Sequence, residues 1–210
     1  MSKKYLLGIL MQLLASSFAA ETLPMDLALP AFKYHPEPLK TGNAIEKSFQ
    51  CICCYQQKKY AYTGPVYSVE DIDKETLCLG CIADGSAAAK FEATFVDSTF
   101  IDFPEEGNVD IKEEDKEELF KRTPGYTSWQ DGQWLTHCGE ICEFRGDFEK
   151  EDLLAHFQDI KKYAQKDLYC DEDELKEIIR HYDPLDNNNP AFYKFVCRTC
   201  KIVLSYSDGT

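Results

Sequence analysis

Histidine is scarce, with four in 210 residues and none in a His-Glu-x-x-His arrangement, so the helical zinc-hydrolase site is excluded. Gly-rich phosphate loops and the Gly-x-Ser-x-Gly elbow are also missing. Their absence removes the common nucleotide-cradling and serine-hydrolase readings. Basic residues are outnumbered, 23 Lys and Arg against 37 Asp and Glu, for a formal charge of −14. A surface of that sign repels phosphate backbones and anionic headgroups, which argues against nucleic acid and membranes as partners. Beyond the first twenty residues no apolar run is long enough to cross a bilayer.

Cysteine, in contrast, is plentiful, with ten in the chain, and 44% of the residues are hydrophobic and 13% aromatic. That composition supports a packed core, in one domain or two small ones. Lys3 and Lys4 precede an apolar run over 6–14 and the small residues Ser17, Ala19 and Ala20. This is the layout of a signal peptide over residues 1–20, from which an exported protein, periplasmic or secreted, is expected. A start at Met25 would instead leave a cytoplasmic protein.

An extended arm is expected over 26–50, where Pro30, Pro36 and Pro38 disfavour helix. Residues 51–96 form a first zinc-binding unit, with short strands at 60–62 and 66–67 around Gly64-Pro65. A helix capped by Asp84 or Ser86 follows, with Ala87, Ala88, Phe91 and Phe95 on its apolar face. Residues 97–125 make an acidic connector ending in a helix near 113–120. Residues 126–210 form a second cysteine-containing unit. Its helix over 149–165 carries an apolar stripe of Leu153, Phe157, Ile160 and Ala164. A capping box of Asp171 and Glu174 opens the next helix, whose inner face holds Leu175, Ile178, Ile179 and Tyr182. Alternation over 192–206 predicts a closing β-hairpin. The aromatic residues Tyr60, Tyr62, Tyr67, Trp129 and Trp134 read as core packing rather than as a base-stacking platform.

Eight of the ten cysteines fall into four pairs. Cys51/Cys54, Cys78/Cys81 and Cys197/Cys200 are Cys-x-x-Cys, and Cys138/Cys142 is one residue longer. A Cys-x-x-Cys turn aims two thiolates at one point, and two such turns complete a tetrahedral zinc shell. The order ligand turn, strands, then a ligand pair opening a helix is that of a treble clef. The helix N-terminus favours the deprotonated thiols beside it. Cys51, Cys54, Cys78 and Cys81 are therefore expected on one zinc. Cys138, Cys142, Cys197 and Cys200 are expected on a second, with His137 as a substitute for one thiolate. Cys53 and Cys170 remain as non-ligands, although Cys53 offers an alternative to Cys51. Disulfides are the rival in an oxidising compartment, but a bridge inside a Cys-x-x-Cys turn is strained. The expected fold is α+β: a treble-clef-like zinc finger unit, then a helical segment closed by a zinc-knuckle hairpin.

Several longer stretches form a recognisable set. They are Leu29-Pro-Ala-Phe-Lys-Tyr-His-Pro-Glu-Pro-Leu39, Tyr62-Thr-Gly-Pro-Val-Tyr-Ser68, Leu77-Cys-Leu-Gly-Cys81, Arg122-Thr-Pro-Gly-Tyr126, Ser128-Trp-Gln130, Trp134-Leu-Thr-His-Cys-Gly139 and the final Cys-x-x-Cys. In these the chain resembles the CbrC family, uncharacterised bacterial proteins whose name in some members refers to colicin tolerance. Two departures from that family are Leu79-Gly80, where it commonly has Pro-Trp, and Tyr55, where it usually has Gly. The resemblance implies no established activity.

Closed four-ligand sites leave no position for a substrate water, so a non-enzymatic zinc-binding interaction module is the expected function. The alternative is an acidic immunity or tolerance protein that binds a basic toxin, through surfaces at 105–118 and 171–177. A thiol-redox protein using its Cys-x-x-Cys pairs is the third reading. His137 and Cys138 are expected to be poorly placed as base and nucleophile, because neighbours on a strand face opposite ways.

Overall fold

The computed structural model describes residues 29–209, apart from 99–100, 103–110, 131, 185 and 187. The signal-like segment 1–20 and Met25 lie outside the described residues, as does part of the acidic connector. The prolines keep 29–43 free of regular structure, but the last stretch of the expected arm is a strand. β1 (Ala44–Gln50) pairs antiparallel with β2 (Gln57–Tyr62), and Cys51 opens the loop that joins them.

This pairing corrects the expected hairpin between 60–62 and 66–67. Residues 60–62 pair back onto 44–46, and Tyr67 instead bridges Thr94. Gly64 and Pro65 are used to wrap the Tyr62 ring. A Cβ on Gly64 would stand 2.5 Å from the Tyr62 hydroxyl oxygen, and that hydroxyl donates to the Pro65 carbonyl at 2.8 Å.

Two short helices follow, α1 (Leu79–Ala83) and α2 (Ser86–Phe91), divided by Gly85 at φ 79°. The expected acidic helix is α3 (Glu113–Arg122), which buries Leu119 and closes its first turn with Glu113, Glu114 and Asp115. β3 (Ile101–Asp102) lies parallel to β4 (Trp134–His137), which pairs antiparallel with β5 (Glu140–Ile141).

The C-terminal unit has the expected elements with one division added. The helix expected over 149–165 is broken at His156 (φ −105°, ψ 16°) into α4 (Lys150–Ala155) and α5 (Phe157–Leu168). The capping box is present on α6 (Glu172–His181), where the Asp171 carboxylate accepts from the Asp173 and Glu174 amides. β6 (Glu143–Asp147), β7 (Ala191–Val196) and β8 (Val203–Asp208) make a three-stranded antiparallel sheet, with α5 packed against β8.

Three apolar clusters hold these parts together. One, around Phe32, Tyr62, Leu77, Ile82 and Phe95, includes Cys51, Cys78 and Cys81. Another gathers Tyr34, Tyr126, Trp134, Phe144 and Phe195 with Cys142 and Cys197, and Tyr126 stacks on Phe144 at 4.2 Å. The third lies beneath α4, α5 and α6. The 29–43 arm joins the first two, since Phe32 belongs to one and Tyr34 to the other. Each fully buried aromatic ring of this kind is worth about 1.5–3 kcal/mol of apolar burial.

Polar contacts set the same junction. The Tyr34 hydroxyl donates to Asp115 at 2.8 Å, and Lys33 pairs with the same carboxylate at 2.5 Å. The Gly125 amide donates to the Tyr62 hydroxyl at 3.0 Å, so two of the sequence motifs meet there. Gly125 is needed for that approach: a Cβ would come within 1.9 Å of the Phe95 carbonyl oxygen.

Candidate metal centres

The first donor set forms where the β1–β2 loop meets the start of α1. Cys51 and Cys54 lie in the loop, Cys78 is the N-cap of α1, and Cys81 lies in its first turn. The four sulfurs lie within 4.8 Å of one another, and Cys51 to Cys81 is 4.0 Å. Four thiolates about 2.3 Å from one tetrahedral ion sit about 3.8 Å apart, whereas a disulfide needs about 2.05 Å. All ten cysteines are free thiols. Backbone amides also point at the sulfurs, from Cys78 to Cys51 and from Cys81 to Cys78, each at 3.4 Å.

The Cys51 loop recurs at the other end of the chain. Cys51 N–H donates to Gln56 O at 3.0 Å and Tyr55 N–H to Cys51 O at 2.8 Å. Cys197 N–H donates to Ile202 O at 3.0 Å and Lys201 N–H to Cys197 O at 3.1 Å, in the loop between β7 and β8. The residue after each second cysteine is left-handed, Tyr55 at φ 59° and Lys201 at φ 64°. Both Cys-x-x-Cys pairs thus occupy the same hairpin-tip turn.

At the second centre the structure brings together His137, Cys138, Cys197 and Cys200, with their donor atoms within 4.8 Å. His137 Nδ1 lies 3.3 Å from Cys200 Sγ. Cys142 is not in the group, which corrects the expected set of Cys138, Cys142, Cys197 and Cys200. Its N–H donates to Leu135 O at 3.0 Å, its carbonyl accepts from Trp134 Nε1 at 2.9 Å, and its side chain is fully buried among the aromatic rings.

The cause is the β4–β5 turn. His137 pairs with Glu140, which leaves Cys138 and Gly139 as a two-residue hairpin loop at φ 51° and 75°. Two successive left-handed residues are the signature of the tight hairpin turn that a Cys-Gly pair can supply. Cys138 is therefore off the strand, and the alternation that would separate it from His137 does not apply. The two-residue turn was readable from Cys138-Gly139 between alternating segments, and it would have placed Cys142 opposite Leu135, away from the tip.

Electrostatics differ between the sets. In the first, hydrogen bonding from the Cys78 and Cys81 thiols holds the Cys51 thiol far below its ordinary range. The same contacts push Cys78 up to about 12 and Cys81 higher still. The contacts thus favour a thiolate at Cys51, and a bound divalent ion would favour ionisation of the Cys78 and Cys81 thiols beside it. At the second centre the Ile202 amide lowers the Cys200 thiol, while Cys200 itself pushes Cys138 up to about 11. Burial raises the Cys142 thiol strongly, as suits a core residue rather than a ligand.

Outer contacts brace both sets. Lys90 Nζ donates to the Ile52 and Cys53 carbonyls at 2.7 and 3.0 Å, tying the first loop to α2. Glu140 lies 3.9 Å from Cys197 Sγ and pairs with Arg198 at 3.3 Å. The two other cysteines stay outside both sets. Cys53 contacts the Ser86 hydroxyl at 3.6 Å, and Cys170 follows α5, partly exposed. Soft thiolates with at most one imidazole form a donor set suited to zinc. Among the described residues no helix is long and apolar enough to cross a membrane.

Fold and donor sets together define a mixed helix-and-sheet protein with two cysteine-rich clusters able to hold metal. The chain belongs to UPF0167, described as an uncharacterised protein family, whose match runs over residues 29–209. This is the same uncharacterised group to which the motifs point, and the CbrC designation rests on those motifs alone. UPF0167 proteins of Mycobacterium bovis and Mycobacterium tuberculosis are each 38% identical over 183 residues, covering 86% of this chain and 93% of the relative. A UPF0167 protein of Pseudomonas aeruginosa is 38% identical over 176 residues, covering 84% of this chain and 94% of its own. No solved structure matches the chain significantly.

Proposed function

We propose that the protein is a non-enzymatic interaction module whose two zinc ions are structural. The observation that carries this reading is that each centre has four protein donors within 4.8 Å of one another. A zinc hydrolase keeps one position for water, while a closed four-donor shell contributes folding energy instead. Cys51, Cys54, Cys78 and Cys81 would hold one ion, and His137, Cys138, Cys197 and Cys200 the other. Each ion would clamp a hairpin tip to a distant segment: the β1–β2 loop to α1, and the β7–β8 loop to the β4–β5 turn.

Elemental analysis of protein purified without added metal tests the reading. Two zinc ions per chain are expected, and a chelator should lower the unfolding midpoint. One zinc or none, or a chelator-insensitive melt, would overturn it. Mapping the mature N-terminus of the same preparation separates export after residues 1–20 from a start at Met25.

The charge of −14 favours a basic protein as the partner. On α6, Glu172 and Asp173 are already paired with Lys176 at 3.0 and 3.2 Å, and Glu177 with Arg180. Attraction would therefore come from the excess of carboxylates over the whole surface rather than from a bare patch on that helix. Binding to a basic toxin should weaken steeply as salt is raised, and salt-independent binding would contradict this.

A further inference from the structure

The two centres differ in how far their sulfurs are withdrawn from solvent. In the first, Cys51, Cys78 and Cys81 are 0%, 2% and 4% exposed, and Cys54 is half-buried, in a loop that Lys90 ties down. In the second, only Cys197 is buried, while Cys138 and Cys200 are both exposed and His137 is half-buried. The two exposed sulfurs lie within 4.8 Å of each other, each at the tip of a tight turn. Cys200 and Cys197 share one Cys-x-x-Cys turn, where a bridge is strained. Cys138 comes from another hairpin and is free of that constraint.

We propose that Cys138 and Cys200 form an oxidative modification site, at which a hydroperoxide converts the second centre from a four-donor metal site into a disulfide. This rests on the metal-binding reading only for the release of an ion. The preference for these two sulfurs rests on exposure and proximity. One exposed thiolate attacks a peroxide oxygen, so that an S–O bond forms, the O–O bond breaks, and the departing hydroxide takes a proton to become water. The other thiolate then attacks the sulfenic sulfur, so that the S–S bond forms, the S–O bond breaks, and a second hydroxide leaves and is protonated. In sum, two thiolates, one hydrogen peroxide and two protons give one disulfide and two waters. The sulfurs lose two electrons and the peroxide gains them.

Only His137 and Cys197 would remain as donors, too few for a structural zinc shell. The bridge itself would keep the β4–β5 turn joined to the β7–β8 loop, so the ion would leave without the hairpins separating. The buried first centre would keep its ion, and exchange with a dithiol would reverse the bridge.

The test is to treat the full-length protein with one equivalent of hydrogen peroxide. Released zinc is followed with a chromogenic chelator, and crosslinked peptides are mapped by mass spectrometry after alkylation. The expected result is one equivalent of zinc released and a Cys138–Cys200 bridge as the first crosslink. Cys51, Cys54, Cys78 and Cys81 should all remain alkylatable after denaturation. Equal release from both centres, a first crosslink within the Cys51 set, or a Cys197–Cys200 bridge would overturn the proposal. Metal-free protein given the same treatment separates the two ideas. If the protein carries no zinc but Cys138–Cys200 still forms first, the metal reading fails and the modification site stands.

Discussion

His35 offers a quantitative test of how the arm is held. Its ring is fully buried, edge-on to Phe144 at 4.9 Å, with Nδ1 at 2.7 Å from Pro124 O and Nε2 at 2.6 Å from the Thr41 hydroxyl. A carbonyl can only accept, so Nδ1 carries the proton and the neutral ring accepts from Thr41 through Nε2. Burial lowers the imidazole from 6.5 to about 4, against the smaller opposing effect of the Pro124 carbonyl. The sign follows from which state binds the proton. Between pH 6.5 and 4 the unfolded chain is protonated at this residue and the native one is not, so stability falls as pH drops through that window. Above it both states are neutral, and below it both are charged. The full shift corresponds to about 3 kcal/mol, of which about 2 kcal/mol should already be lost at pH 5. Urea unfolding from pH 7.5 to 4.5, for the native chain and for His35→Asn with zinc held constant, isolates the effect. Metal-ligand and carboxylate titrations are common to both chains and cancel in the difference. The variant retains a side-chain N–H for Pro124 and should be less stable at pH 7.5 but lose less on acidification. Parallel stability profiles from pH 6.5 to 4.5 would refute the reasoning.

Other outcomes follow from the same contacts. His137→Ala should leave one zinc per chain, while Cys142→Ala should keep both and lose only about 1–3 kcal/mol of core packing; elemental analysis with urea unfolding checks both. Lys90→Met removes two bonds to the first loop's carbonyls, and competition with a chelator should show a 10–100-fold weaker first centre and an unchanged second. Gly125→Ala forces a Cβ onto the Phe95 carbonyl oxygen, and thermal or urea unfolding should report a loss of at least about 2 kcal/mol.

Much of the local structure was legible in the residues. The Asp171/Glu174 box, the apolar stripes of the C-terminal helices and the alternating strands of the closing hairpin each depend on neighbours a few positions away. The gathering of Cys51, Cys54, Cys78 and Cys81 was also readable, because two Cys-x-x-Cys turns each converge by their own local geometry. The break at His156 was not, since the stripe of Leu153, Phe157, Ile160 and Ala164 continues through it.

Eight of the ten cysteines, paired along the chain, determined that it would gather sulfurs, and the Cys-x-x-Cys spacing of three pairs determined the local turn each sits in. Which donors meet was decided only by the tertiary structure. The Cys138-Gly139 turn sends Cys142 back along β5 into the aromatic cluster and leaves His137 at the hairpin tip facing Cys200. Strand partnership was decided the same way. Residues 60–62 take their partner from the arm, and the Tyr62 hydroxyl accepts from the Gly125 amide, 63 positions along the chain. Spacing specifies the shape of a turn, whereas the partner that the turn meets depends on contacts between segments far apart in the chain.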